Sequence, residues 1–150
     1  MDYTSKQIKE IVEYCEEELF NKPKIKFSLD KNWSSKFPNN AGLYAIFDKE
    51  KFIYIGETAN LRERMKDVRR TANHSFRRKL GKHIDKDAKI GKNKYNDLLE
   101  SQLNDYCEKD ISFTFISVNF GRLEIESYIM QRHEGLLNSL GKRDKIKVDA

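Results

Sequence analysis

Two short runs, Gly42-Leu43-Tyr44-Ala45-Ile46-Phe47 and Phe52-Ile53-Tyr54-Ile55-Gly56, are built almost wholly from β-branched, aromatic and aliphatic residues, and the polar Asp48-Lys49-Glu50-Lys51 joins them. Such side chains favour extended backbone, and a short polar link lets the chain reverse, so the pair predicts an antiparallel hairpin. A third run of the same kind, Ile111-Ser112-Phe113-Thr114-Phe115-Ile116-Ser117-Val118, predicts another strand far downstream.

Helical periodicity fills the remainder. Thr4 followed by Gln7 reads as a capping box, and Ile8, Ile11, Val12, Cys15 and Leu19 recur at helical spacing until Pro23 stops the pattern. Residues 22–41, with Pro23, Pro38 and Asn39-Asn40 around the strand-like Ile25–Leu29, read as a connecting arm. Asn60 caps a helix with an apolar stripe of Leu61, Met65 and Val68. Asn73 or Ser75 opens a second basic helix carrying Phe76 and Leu80, and Leu98, Leu99, Leu103 and Tyr106 mark a third before the downstream strand. After Gly121, the apolar positions from Leu123 to Leu137 read as one closing helix ending near Asn138. The division expected is an N-terminal helix and arm (1–40) packed on a core domain (41–139), with a loose C-terminal tail (140–150).

Hydrophobic residues at 38% and charged residues at 35% place the chain among self-folding globular proteins. Met1–Ser5 has neither a basic flank nor an apolar run, and no stretch approaches the roughly 20 apolar residues of a membrane span, so a cytoplasmic address is expected. Cys15 and Cys107 lack the paired spacing of a zinc or redox motif and are expected to be buried and reduced. The net charge of +5 is unevenly spread. Residues 1–21 hold six acids against two lysines, whereas residues 62–82 hold nine bases against two acids. A charge run is ordinarily a solvated helical face, but this one sits beside the motif below and points to a polyanion.

Gly42-Leu43-Tyr44, then Tyr54-Ile55-Gly56-Glu57-Thr58 with Asn60-Leu61 and Arg64, resembles the signature of the GIY-YIG nuclease superfamily. Downstream, Leu123-Glu124-Ile125-Glu126-Ser127-Tyr128-Ile129-Met130 with Leu136-Leu137-Asn138 resembles that family's final helix. The resemblance covers residues 41–139. It implies an α/β (α+β) fold, a three-stranded antiparallel sheet flanked by helices, here with an added N-terminal helix.

The resemblance also implies a chemistry, metal-dependent hydrolysis of DNA phosphodiester bonds by in-line attack of a water activated by a motif tyrosine. Glu126 would bind one Mg²⁺, with Mn²⁺ able to substitute, and Glu124 is a neighbouring competitor for that role. Arg64 would contact the scissile phosphate through its guanidinium fork. Tyr44 and Tyr54 would serve as base and as positioner of water or phosphate, with the division between them open. His74 would assist proton relay or phosphate binding, the alternative family position being Val68. Gly56, Arg62, Arg69, Arg70, Arg77, Arg78, Lys79 and Asn138 are the candidate substrate-binding residues, Asn138 being equally a helix C-cap. Phe27, Trp33 and Phe37 are expected in the core rather than stacked on bases, and His83 and His133 on the surface.

The expected partner is DNA, double-stranded or branched, and a homodimer is left open because one centre cuts one strand. Two other functions compete, a non-catalytic nucleic-acid-binding module of the same fold and an RNA-cutting nuclease.

Overall fold

The computed structural model describes residues 4–139, so the tail read at 140–150 lies outside the described residues. Helix α1, Ser5–Asn21, starts at the expected capping box: the Gln7 amide donates to Thr4 Oγ1 at 3.2 Å and the Thr4 amide donates to Gln7 Oε1 at 2.8 Å. Its Val12, Cys15 and Leu19 are buried, while Ile11 stays largely exposed.

The sheet has four strands, one more than expected: β1 (Ile25–Lys26), β2 (Gly42–Asp48), β3 (Lys51–Thr58) and β4 (Ile111–Ser117), in the order β1-β4-β2-β3 and antiparallel throughout. The extra strand is the arm. Ile25 and Lys26 pair with Phe113 and Ser112, and the Phe27 amide donates to Ile111 O at 3.0 Å, so the arm covers what would be a bare sheet edge. Trp33 then packs edge-on against Phe27, Phe37 and Phe113, and Phe37 edge-on against Phe113. The three arm aromatics are core residues, as expected, each contributing about 1.5–3 kcal/mol by leaving water.

Among the described residues five helices cover the sheet, α1 together with α2 (Leu61–Asp67), α3 (Ser75–Ile84), α4 (Asp97–Asp110) and α5 (Arg122–Gln131). Two apolar cores result. On one face Leu43, Ala45, Phe47 and Ile55 meet Val12, Cys15 and Leu19 of α1 and Ile125 and Ile129 of α5. On the other, Tyr44, Ile46 and Tyr54 meet the arm aromatics and residues of α2, α3 and α4.

Two local readings are corrected. Helix α3 begins at Ser75, one of the two openings read, but its cap is His74, whose Nδ1 accepts the Phe76 amide at 3.1 Å. Histidine is outside the usual cap repertoire, which is why sequence pointed to its neighbours. The closing helix stops at Gln131, the chain turns at Gly135 with φ 75°, and Leu137–Ser139 form a separate 3-10 turn. That break lets Leu136 enter one core and Leu137 the other, which a continuing helix would not allow. Cys15 and Cys107 are buried and free. No helix among the described residues is long and apolar enough to cross a membrane.

Candidate active site

The site starts from strand register. Along an ideal antiparallel pair, side chains alternate between faces, so register decides which residues share a surface. Phe47 pairs with Phe52 but Ile46 pairs with Tyr54, which leaves Ile53 as an extra residue in β3. Without this bulge Tyr54 would pair with Ala45 and face the α1 side. With it, Tyr54 shares the face of Tyr44, and their rings stack with centroids 6.3 Å apart.

Gly56 is the register partner of Tyr44. A Cβ there would lie 2.2 Å from Tyr44 Cζ and 2.3 Å from its hydroxyl oxygen. Only glycine lets the phenol lie flat across β3. Gly56 therefore seats the Tyr44 ring.

The N-terminus of α3 supplies a partner to each phenol. Tyr44 Oη lies 2.9 Å from His74 Nε2, and Tyr54 Oη lies 2.7 Å from Ser75 Oγ. Burial, reinforced by Arg64 and Arg78, holds the His74 pKa well below its ordinary value, so the ring is neutral. Its Nδ1 already accepts the Phe76 amide, so the single ring proton sits on Nε2 and is donated to Tyr44 Oη. The tyrosine's own proton consequently points away from the histidine. Ser75 carries no distinctive sequence signal, and its pairing with Tyr54 emerges only from the packing.

Arg64 and Glu126 converge on the same phenols. Asn60 Oδ1 caps α2 by accepting the Glu63 amide, and one turn on Arg64 Nη1 donates to Asn73 O at 3.0 Å, tying α2 to the residue before His74. Arg122, in the first turn of α5, pairs with Glu57 at the end of β3 at 3.2 Å. Glu126 follows four residues later on the same helical face and is buried. Burial first, and then the charges of Tyr54 and Glu126, push the Tyr44 phenol well above its usual pKa, while Arg64 pulls it down. Tyr54 is likewise raised by burial and by Glu126, and lowered by Ser75 and Arg64. Both phenols are thus protonated at neutral pH, between a cation that favours their ionisation and a carboxylate that opposes it.

The remaining candidates part company. Arg77 is 2% exposed, and its guanidinium meets Glu100 Oε1 at 2.7 Å, Asn104 Oδ1 at 2.8 Å and Thr71 Oγ1 at 3.1 Å. It belongs to the interior and is withdrawn from the substrate-facing set, because a buried ion pair leaves no surface for a phosphate. Arg62 donates to Phe37 O at 2.8 Å and holds the arm, and Arg78 donates to Ala72 O at 2.8 Å. Arg69 reaches Leu29 O at 3.4 Å, and Arg70 is exposed. Lys79 donates to Asn138 O at 3.3 Å. Asn138 is no helix cap: its Nδ2 donates to Ile55 O at 2.6 Å, inside the fold beside the motif strand. His83 is exposed, whereas His133 is half-buried against Glu16.

A family model for the GIY-YIG catalytic domain matches residues 40–137. The chain therefore belongs to the GIY-YIG family, whose members are endonucleases, and a nuclease-type function on nucleic acid follows. No curated protein and no solved structure matches it.

Proposed function

We propose that this protein is a divalent-metal-dependent endonuclease that hydrolyses DNA, with Tyr44 as general base, Tyr54 as positioner, Arg64 on the scissile phosphate and Glu126 as the metal-holding carboxylate. The observation that carries this reading is that the two motif tyrosines stack at 6.3 Å with His74 and Ser75 on their hydroxyls, while Arg64 is tied to Asn73 beside them and Glu126, distant in sequence, bears on both phenols.

Tyr44 is the better base because its oxygen accepts the His74 Nε2–H and lies close to Arg64, two donors suited to a phenolate. Only the phenolate can act as base, so the Tyr44 proton would first leave to solvent, since His74 donates to that oxygen and cannot accept from it. The phenolate would then take the proton of the water that attacks phosphorus in line, and the pentacovalent charge would fall under the Arg64 fork. The Tyr54 hydroxyl lies against both Ser75 Oγ and the Tyr44 hydroxyl, and would position water or phosphate through its remaining lone pair.

Glu126 is a hard oxygen donor, and among the described residues no group of three or more histidine, cysteine or carboxylate side chains is arranged to hold a metal ion. Such a donor fits an ion that keeps most of its shell as water and phosphate oxygens, which suits Mg²⁺, with Mn²⁺ able to replace it. When bound, the ion would stabilise negative charge on the leaving oxygen.

Nicking of supercoiled plasmid tests the reading. Wild type should nick with Mg²⁺ and stop in EDTA, and Glu126→Gln and Tyr44→Phe should each be inactive while still binding DNA. Cleavage that persists in both variants removes the assignment. The full burial of the Tyr44 hydroxyl favours a second reading, a binding module without turnover, and this predicts salt-dependent binding with no nicking under any divalent ion. Digestion of matched DNA and RNA in parallel decides the substrate.

A further inference from the structure

Away from the tyrosine corner, two open clefts meet at Arg69 and Arg70, just beyond the end of α2. One is lined by Lys31 of the arm and by Lys66, and the other by Lys92 and Lys94 from the loop between α3 and α4. The second cleft reaches Asn73, whose carbonyl holds Arg64, so it opens onto the edge of the site.

Three carboxylates line the clefts as well, and each is already matched. Glu63 meets Lys66 at 2.8 Å, Asp67 meets Arg64 at 3.7 Å, and Glu100 meets the interior Arg77 at 2.7 Å. Lys94 is shared with Asp97 at 3.1 Å. Lys31, Arg69, Arg70 and Lys92 are left, and none has a carboxylate partner among the described residues. Four like charges along one continuous surface repel one another until a polyanion neutralises them.

The lining also indicates which polyanion. No aromatic side chain lines either cleft, so there is no platform on which unpaired bases would stack. Cations without base-reading or stacking groups contact phosphates and are indifferent to sequence.

We propose that Lys31, Arg69, Arg70 and Lys92 form a phosphate track that holds the flank of a DNA duplex leading away from the scissile phosphate. The proposal rests on reading the tyrosine corner as the cutting site. Lys31 lies outside the 40–137 stretch that matches the family, so the arm adds to the substrate surface as well as closing the sheet edge.

The test is the triple variant Lys31→Ala, Arg70→Ala, Lys92→Ala. All three side chains are exposed, so the fold should survive, which an unchanged thermal midpoint verifies. Arg69 is kept because it also holds Leu29 O. Binding of a fluorescein-labelled duplex of mixed sequence, and of one of its strands alone, is followed by anisotropy across a salt series in EDTA. For the duplex, the slope of log affinity against log salt should become shallower by about 2.7, at about 0.9 per lost contact, with a smaller change for the single strand. An unchanged slope overturns the track, and an equal or larger loss for the single strand overturns the duplex assignment. Plasmid nicking by wild type and Glu126→Gln is measured alongside. If Glu126→Gln abolishes nicking while the triple variant keeps its slope, the track alone is wrong. If the slope falls but wild type never nicks, the track stands as a binding surface and the catalytic reading fails.

Discussion

Helix α3 separates two buried polar clusters that are built on opposite principles. Around Arg77 the charges are closed on themselves: Glu100 accepts from the Arg77 guanidinium, from Thr71 Oγ1 at 2.6 Å and from the Tyr95 amide at 2.8 Å. Burial works to raise the Glu100 carboxyl, but these donors outweigh it and leave its pKa below the ordinary value. At the N-terminus of the same helix, around Tyr44 and Tyr54, Arg64 rests on a backbone carbonyl and pairs with Asp67 at 3.7 Å, its side chain is 29% exposed, and the phenols are held protonated. One cluster pairs its charges internally and serves stability, with only its Arg77 Nη1 left without a hydrogen-bond partner among the described residues. The other leaves the Arg64 guanidinium partly exposed beside two protonated phenols, which is what the proposed phosphate contact requires.

The largest effect expected from this contrast is on folding. Arg77→Ala empties a buried site and leaves Glu100, at the edge of the open cleft, without its guanidinium partner. It should cost about 3–5 kcal/mol in urea unfolding, with little of the change attributable to catalysis. Arg77→Met combined with Glu100→Gln should recover much of that loss. A single variant as stable as wild type would show that the two clusters do not differ in kind.

Arg64→Ala should do the reverse. We expect plasmid nicking to fall about 10²–10³-fold, on the order of 3 kcal/mol, while unfolding moves by only about 1 kcal/mol. Equal losses in both measurements would make Arg64 a second structural arginine.

Gly56→Ala sharpens the site's dependence on strand geometry. Because its Cβ would meet the Tyr44 ring, stability should drop by about 1–3 kcal/mol and nicking should fall with it. An alanine variant with wild-type nicking would mean that the phenol need not lie across β3.

The smallest effect is in pH. His74 has a folded pKa below its unfolded one, so the unfolded chain takes up the proton more readily. Its contribution to stability is complete above the ordinary histidine value, about 6.5, and is lost as pH falls from there through the folded pKa. Unfolding midpoints of wild type should therefore decline across this window more than those of His74→Gln. Parallel curves for the two proteins would place the protonated ring comfortably inside the fold.

Much of the frame was legible in advance because its signals are local. The hairpin from 42 to 56, the capping box at Thr4 and Gln7, the Asn60 cap and the strand at 111–117 each follow from neighbouring residues alone. The arm's pairing with β4 was not, since a two-residue strand has meaning only against a partner more than 80 residues away.

The site divides in the same way. Sequence determined which chemical groups are available, the two tyrosines, Arg64, His74 and Glu126, because motif spacing records them directly. Tertiary structure decided which of them meet. The bulge at Ile53 puts Tyr54 on the Tyr44 face, the cap at His74 determines which ring nitrogen carries the proton, and α4 draws Arg77 out of the basic run into the interior. Charge and periodicity are properties of a segment, whereas burial and protonation depend on what packs against it, and those partners lie elsewhere in the chain.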